Sequence, residues 1–555
     1  MSDIDRLQAY HFYEEDWESY DALMEAFEWE VPARFNIASY VSTRWADDRP
    51  DAVAVYAEDE GGRETYTFAE LDAVTDRLAA YFEHVGVEPG DRVGVNAPQR
   101  PETLFTHIAA WKAGAVSVPL STLFGPDALA YRLDDSDARL AVVDESNVEN
   151  LREVRDGLSA LETVLTVGEV IDRPDETDFW TALEGHGEGY DAVETDAEDD
   201  AIIVYTSGTT GDPKGVRHAH RVMLGHLPLF VTTFNDMAIE PEDVHWTPSE
   251  WAWIASLFDV VFPALYYGRS VLAYNGGPFD PETAFSLIER YEVTNFFAPP
   301  TALRRMKLVE DPGERYDVSS IRVIPSGGES LGQDLVDWAT ATFGDVAVHE
   351  AYGQTEANLL VGDCTALTEF REGKIGRAAP GHEVAIVDVD SAEPTVAPGE
   401  TGEIAVRYED DPVCFKSYLN KPEKTAGKVQ NGWLLTEDLG TMDEDGYVTF
   451  KSRKDDVIIS AGYRIGPAEI EDTLASHEAV ADAGVIGVPD EERGEVPKAF
   501  VVPAEGYEPG EALADELRAF VKDRLAKYEY PREFEFRESL PKTTTGKVRR
   551  SDLTD

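Results

Sequence analysis

The run AIIVYTSGTTGDPKG, Ala201 to Gly215, decides how this chain is read. Its first five residues are apolar and β-prone, as a buried strand requires, and the ten that follow carry hydroxyls, glycines and one lysine. A strand that empties into small side chains offers hydroxyls and bare backbone N–H groups to a polyphosphate, with Lys214 as a cation beside it. The Walker pattern G-x-x-x-x-G-K-[ST] is absent, because Gly215 follows Lys214 and no hydroxyl stands ready for a metal ion. A metal ligand has to come from elsewhere.

Outward from that run, strands alternate with amphipathic helices. FAELDAVTDRLAAYFEHVG reads as a helix, DRVGVNAP as a strand, TLFTHIAAWKAG as a helix and AVSVPL as a strand. RLAVVD, TVLTV and AIIVY form a second series, and SVLAY, VTNFFAPP and IRVIPSGGE a third. This alternation predicts wound α/β sheets. From VAIVD to KSR, short β runs separated by Gly, Pro and a DEDG turn predict a compact β subdomain. After Arg453 the pattern shifts again, to a strand DDVIIS, a helix around Pro467 to His477, strands at Ala483–Gly487 and Ala499–Val502, and a helix at Leu513–Lys527. At 555 residues more than one core is expected. The expected fold class is α/β: a large N-terminal domain of wound α/β sheets plus a β subdomain, with a small mobile α+β C-terminal domain.

Composition narrows the function class. The formal charge of −61 is spread along the chain, as in DAVETDAEDD (Asp191 to Asp200), and arginines outnumber lysines. So many like charges repel in dilute buffer, whereas at about 1 M salt the Debye length is about 3 Å and the repulsion is screened. This matches a protein of a salt-rich, haloarchaeal-type cytosol, and it disfavours nucleic acid as a partner. The acidic start MSDIDRLQAY lacks the apolar core of a secretory signal, and no stretch reaches the roughly 20 apolar residues of a membrane span. A cytoplasmic protein without a membrane partner, monomer or homo-oligomer, is expected. Cys364 and Cys414 stand far apart and read as buried small hydrophobes without chemistry.

Five motifs in order, TSGTTGDPKG, YGQTE (Tyr352 to Glu356), TEDLG (Thr436 to Gly440), RKDDVIISAGYRIGPAEIE from Arg453, and PKTTTGK (Pro541 to Lys547), resemble the adenylate-forming superfamily of acyl-CoA synthetases, luciferases and peptide-synthetase adenylation domains. The resemblance spans most of the chain and implies two domains, 1–454 binding AMP and 455–555 acting as a lid, with a hinge near Asp455. It also implies an ATP-dependent acid–CoA ligase that makes acyl-AMP and then acyl-CoA, with ATP, Mg²⁺ and CoA as reactants and a small carboxylic acid as substrate. Two alternatives stay open: an adenylating enzyme whose acyl acceptor is not free CoA, and a non-catalytic acyl-adenylate sensor on the same fold. Free CoA is favoured over a carrier protein because no carrier domain follows Asp555.

The same resemblance assigns roles to individual positions. Thr206, Ser207, Gly208, Thr209, Thr210 and Gly211 hold the β- and γ-phosphates, with Lys214 adding charge. Gly328, Glu329 and Ser330 line the adenine through main chain, and Tyr352 lies along its ring. Asp438 takes the ribose hydroxyls and Arg453 reaches the same sugar, although Ser452 stands where the family usually has glycine. Glu356 coordinates Mg²⁺, a hard cation that wants oxygen, and Thr355 contacts the α-phosphate or the carboxylate. Lys547 bridges carboxylate and α-phosphate during adenylation. In the second half-reaction the lid rotates, Gly462 makes room for pantetheine and Arg464 contacts phosphate. Arg132 and Lys522 are candidates for the CoA phosphates.

For the acyl group, acetate-using relatives place a Trp where this chain has Gly353, so the glycine implies a deeper channel for a medium-length, branched or aryl acid. Trp253, in SEWAWIASLFDVVFPALYYG (Ser249 to Gly268), is expected to face that group. The nearest subgroup is the medium-chain acyl-CoA synthetases.

Overall fold

The computed structural model describes the whole chain except residues 1–3, 5, 169–172, 207–212, 345, 395–396, 455, 461–462, 491–492, 526–529, 543–547 and 554–555. Among the described residues the strands form four sheets. In the first, Val53–Asp59, Val244–Trp246, Ser270–Asn275, Asn295–Phe296, Val323–Gly327 and Ala347–Gln354 run parallel, and Gly62–Thr67 and Ala357–Gly362 add antiparallel strands toward its edges. In the second, Val116–Pro119, Arg92–Asn96, Ala138–Asp144 and Thr163–Val167 are parallel, beside Asp200–Thr206 and its antiparallel partner Lys214–Ala219. Near-continuous apolar runs such as AIIVY are what strands covered on both faces need, and Ala201 to Tyr205 are all buried.

Helices Phe68–His84 and Pro101–Lys112 cover these sheets. The first begins with a capping box: the Thr67 hydroxyl accepts from Glu70 N and the Glu70 carboxylate from Thr67 N. The second starts on Pro101, whose missing N–H costs nothing in a first turn. Both segments match the sequence reading. One apolar core joins the two sheets through Trp111, Phe258 and Phe262, so the sheet ends that carry the motifs are fixed relative to each other.

The β subdomain is a sheet of Val384–Val387, Gly402–Arg407, Trp433–Met442, Val429–Gln430 and Val448–Arg453. From Ile458 on, a separate sheet pairs Ile458–Ser460, Tyr463–Ile465, Val480–Asp490, Gly494–Pro503 and Glu533–Phe536, with helices Pro467–Ala475 and Glu511–Arg524 packed over its own apolar cluster. The wound sheets, the β subdomain and the small α+β unit are thus all present. Cys364 and Cys414 are buried free thiols, as read. No helix among the described residues is long and apolar enough to cross a membrane.

Asp200–Thr206 and Lys214–Ala219 pair antiparallel, with Thr206 opposite Lys214. This register brings the Lys214 ammonium to the strand end that carries Thr206.

Candidate functional site

Strands Val323–Gly327 and Ala347–Gln354 are parallel neighbours in a register that sets Ser326 beside Glu350 and Gly327 beside Ala351. SGGES and YGQTE therefore leave the sheet together at its carboxyl ends, where open α/β sheets bind ligands. The approach is close: a Cβ on Gly327 would meet Ala351 O at 2.7 Å. Gly328 follows at φ +90°, a conformation that favours glycine. Glu329 is turned back, its carboxylate accepting from Thr301 Oγ1 and Arg304, both at 3.0 Å. Ser330 lies beside Asp472 of helix Pro467–Ala475, so the small unit touches this loop.

At the other end of YGQTE, the Tyr352 hydroxyl donates to Asp438 Oδ2 at 2.7 Å. The DEDG turn produces this contact from a distance. Asp443 Oδ1 accepts from Asp445 N and Tyr447 N, Gly446 takes φ +83°, and the resulting hairpin register places Asp438 opposite Arg453. Thr436 holds the same strand: its hydroxyl donates to Ile404 O at 2.6 Å and its carbonyl accepts from Gln354 Nε2 at 2.9 Å. Tyr352, Asp438 and Arg453 thus converge from two sheets.

Glu356 is 6 % exposed, and Tyr418 donates its hydroxyl to Glu356 Oε1. Lys214 Nζ stands 3.5 Å from that hydroxyl and 4.7 Å from the ring centroid. Burial pushes the Lys214 ammonium below its ordinary range while the Glu356 carboxylate opposes the shift. The Thr206 hydroxyl is buried without a partner among the described residues. An orphaned hydroxyl, a cation and a carboxylate gathered here have the chemistry to take a phosphate and its counter-ion. Tyr418 escaped the sequence reading. It arrives because Ser417–Tyr418 pairs antiparallel with Lys214–Ala219 across some two hundred residues of chain, a contact with no local signature.

His218 escaped it as well. Its Nε2 lies 2.8 Å from Thr355 O, and burial holds the ring at about 3, so it is neutral and donates to that carbonyl. A histidine near 6.5 when unfolded and about 3 when folded supports the fold above pH 6.5 and loses that contribution as pH falls toward 3. Between pH 7.5 and 5.5 its share is about 1.4 kcal/mol. His218→Gln keeps a donor for Thr355 O and is expected to remove that much acid sensitivity, read from denaturant melts at the two pH values; an unchanged difference would mean His218 carries no such linkage.

The remaining candidates divide. Ser207, Gly208, Thr209, Thr210, Gly211, Gly462 and Lys547 lie outside the described residues. Arg464 belongs to strand Tyr463–Ile465, paired with Ile459. Trp253 is half-buried and immediately precedes the helical run from Ile254. Arg132 is not a surface cation: it is buried, its guanidinium 3.9 Å from the Phe124 ring centroid and 5.7 Å from that of Tyr205, which removes it as a CoA phosphate contact. Lys522 lies over Tyr530 within the small unit, 4.0 Å from its centroid, and is not brought to the site. Gly353 also has a local reason to be a glycine. A Cβ there would meet Asn358 Cα and Oδ1 at 2.8 Å and Leu359 N closer still, so backbone approach within the hairpin accounts for the glycine.

The AMP-binding enzyme profile matches residues 42–419, more than half of the chain. The chain belongs to this family. The AMP-binding enzyme C-terminal domain profile matches residues 469–547. Acyl-coenzyme A synthetase ACSM5 of Mus musculus is 35% identical over 536 residues, covering 94% of this chain and 91% of the mouse protein. Acetyl-coenzyme A synthetase of Bacillus subtilis (strain 168) is 34% identical over 526 residues, covering 94% and 90%. Among solved structures, the anthranilate CoA ligase AuaEII in complex with anthranoyl-AMP matches with a TM-score of 0.87 and 27% identity, covering 94% of this chain and 97% of that one. This family member is an AMP-forming acyl-CoA synthetase, an adenylate-forming enzyme with ATP and CoA as substrates.

Proposed function

We propose that this synthetase activates a medium-length, branched or aryl carboxylic acid and passes it to free CoA. The observation that carries this reading is the two-ended hairpin: Tyr352 joins Asp438 at the nucleoside end, and four residues on Glu356 joins Tyr418 and Lys214 at the phosphate end. A nucleotide laid along it has its ribose at Asp438 and Arg453 and its phosphates at Thr206 and Lys214. Residues 1–454 form the nucleotide-binding part and 455–555 the lid. A carboxylate oxygen attacks the α-phosphorus, pyrophosphate leaves, and Lys547 with the Thr355 region orients the two anions. CoA sulfur then attacks the acyl carbonyl and AMP leaves, along a path past Gly462 with Arg464 beside it.

The donor set suits Mg²⁺ arriving with ATP. Glu356 Oε1 is taken by Tyr418, no described residue bonds Oε2, and no group of three protein ligands that would hold a metal alone occurs among the described residues. Mg²⁺ favours one or two carboxylates plus phosphate oxygens and water, which is what Glu356 and the Thr206 hydroxyl leave room for. When bound, it supplies positive charge to the pyrophosphate.

The medium-chain assignment is supported by the likeness to mouse ACSM5, and an aryl acid by the anthranoyl-AMP that AuaEII holds. The acidic surface supports a salt-rich cytoplasm. The test is product identity: ATP, Mg²⁺, CoA and C2 to C12 or aryl acids, in dilute buffer and in molar KCl. AMP and thioester are expected, several-fold faster in KCl as repulsion is screened. Pyrophosphate release without thioester would place the acyl acceptor elsewhere, and full activity without salt would remove the halophilic reading.

A further inference from the structure

Where the amino-terminal segment meets the core lies a group of buried hydrogen-bond donors that the nucleotide chemistry leaves unused. Arg44 opens helix Arg44–Asp48 and is 5 % exposed, yet its Nη1 is buried with no hydrogen-bond partner among the described residues. Arg269, immediately before strand Ser270–Asn275, is half-buried with an orphaned Nε, and its Nη1 donates to Gly268 O at 3.3 Å. The Tyr266 hydroxyl and His11 Nε2 are orphaned in the same way, in residues 0 % and 7 % exposed.

The four atoms belong to one neighbourhood. The His11 and Tyr266 rings stack with centroids 6.5 Å apart. Trp45 Nε1 donates to Tyr266 O at 3.1 Å, and the Arg44 guanidinium lies 4.7 Å from the Trp45 ring centroid. Burial, and after it the charges of Arg6, Arg44 and Arg269, push the His11 ring down to about 3. The same three arginines pull down the Tyr13 hydroxyl, which burial and Glu14 raise. Three guanidinium groups thus stand around one neutral imidazole.

All four orphaned atoms can donate. Guanidinium nitrogens have no other role, and a tyrosine hydroxyl carries a hydrogen. The Tyr13 hydroxyl, 3.3 Å from His11 Nδ1, donates to it, so the neutral ring carries its own hydrogen on Nε2. Buried polar atoms are normally paired, and what is missing here is an acceptor. Elsewhere the chain matches its buried cations: Lys112 lies 2.6 Å from Asp72 and 2.5 Å from Asp76, and Arg100 lies 2.8 Å from Glu102 and 2.7 Å from Asp144. Near this group the carboxylates are engaged elsewhere, Glu14 with Arg6, Glu30 with Ala9 N and Asp243 with Arg322. With 109 acidic residues against 48 basic ones, two arginines left without a carboxylate are not a product of shortage. Burial favours a small monovalent anion, because the cost of stripping water rises with charge.

We infer that Arg44, Arg269, His11 and Tyr266 hold a chloride ion, which fixes the segment Gln8–Glu14 against helix Phe262–Tyr266. Tyr267 already joins the two, its hydroxyl donating to Tyr10 O at 2.7 Å, and the ion neutralises the arginines beside that bond. The inference goes beyond the ligase reading and stands or falls without it.

The experiment uses the full-length protein and needs no turnover. In crystals grown with bromide in place of chloride, an anomalous peak is expected among Arg44 Nη1, Arg269 Nε, His11 Nε2 and the Tyr266 hydroxyl. In solution, the chloride NMR line width is followed at constant molar potassium while gluconate, too large for an enclosed site, is exchanged for chloride. Wild type is expected to show a saturable excess width that bromide competes away. Arg44→Met removes it, keeping an apolar stem beside Trp45, and Tyr266→Phe weakens the affinity about 10-fold. Screening depends on ionic strength and not on the identity of the anion, so at constant ionic strength it predicts neither result. A wild-type crystal without a bromide peak at these atoms overturns the inference and needs no variant to fold. So does a saturable width that survives unchanged in folded Arg44→Met or Tyr266→Phe.

Discussion

Lys547→Ala is expected to slow adenylate formation about 10²- to 10³-fold and to leave the conversion of supplied acyl-adenylate and CoA to thioester near wild type. The asymmetry follows from charge. In the first step a carboxylate approaches a phosphate, two anions that repel until a cation lies between them; in the second a sulfur attacks a neutral acyl carbonyl and AMP is already a good leaving group. An ammonium placed only for the first step shows its loss only there. The residues flanking its loop are consistent with such a part. Lys542 and Val548 pair across it, Val548 packs against Ile486, Phe500, Leu540 and Leu553, and Arg550 binds Asp456 and Glu471. The described residues on either side, Lys542 and Val548, thus belong to the small unit, and Arg550 is tied to Asp456, the residue after the proposed hinge. Pyrophosphate exchange and thioester synthesis from acyl-adenylate separate the two steps; equal losses in both would end the step-specific role.

What the sequence revealed, and what it hid, divides by the range of the contact. Strands such as AIIVY and IRVIP are legible because four or five consecutive apolar residues suit a sheet covered on both faces, whereas Glu356, just past strand Ala347–Gln354, and Asp438, inside strand Trp433–Met442, stand out only through the resemblance of YGQTE and TEDLG to family motifs. Tyr418 is a local blank. Nothing in KSYLN distinguishes it until Ser417–Tyr418 pairs with the phosphate hairpin and sets its hydroxyl against Glu356. The Asp259–Asn358 bond joins a helix to a hairpin ninety-nine residues away and is equally invisible in the sequence.

Glycine and arginine are ambiguous in sequence for a different reason. A glycine is used either to leave room for a ligand or to let two backbones meet, and sequence does not separate the two; at Gly353 the structure adds the second reason, the close backbone of Asn358 and Leu359. An arginine reads as surface charge, yet the stem and planar head of Arg132 pack between Phe124 and Tyr205, where aromatic faces offset part of the cost of burial.

Glu356→Gln is the structural counterpart of the lysine experiment, expected to lower pyrophosphate exchange about 10²- to 10³-fold. Glutamine keeps the length of the side chain and an acceptor for the Tyr418 hydroxyl, so the hairpin retains its packing and melts are expected to match wild type. What disappears is the negative charge facing Lys214 and the phosphate end. Tyr418→Phe provides the scale: it removes one hydrogen bond from Glu356 Oε1 and leaves the carboxylate charged, a loss of about 5- to 10-fold appearing in KM for ATP. If the carboxylate acts by holding the cation that ATP brings, the glutamine defect shrinks as Mg²⁺ rises and the phenylalanine defect does not. A glutamine variant with full exchange activity at limiting Mg²⁺ would show that Glu356 serves the fold alone, and the phosphate end would then rest on Lys214 and the Thr206 hydroxyl.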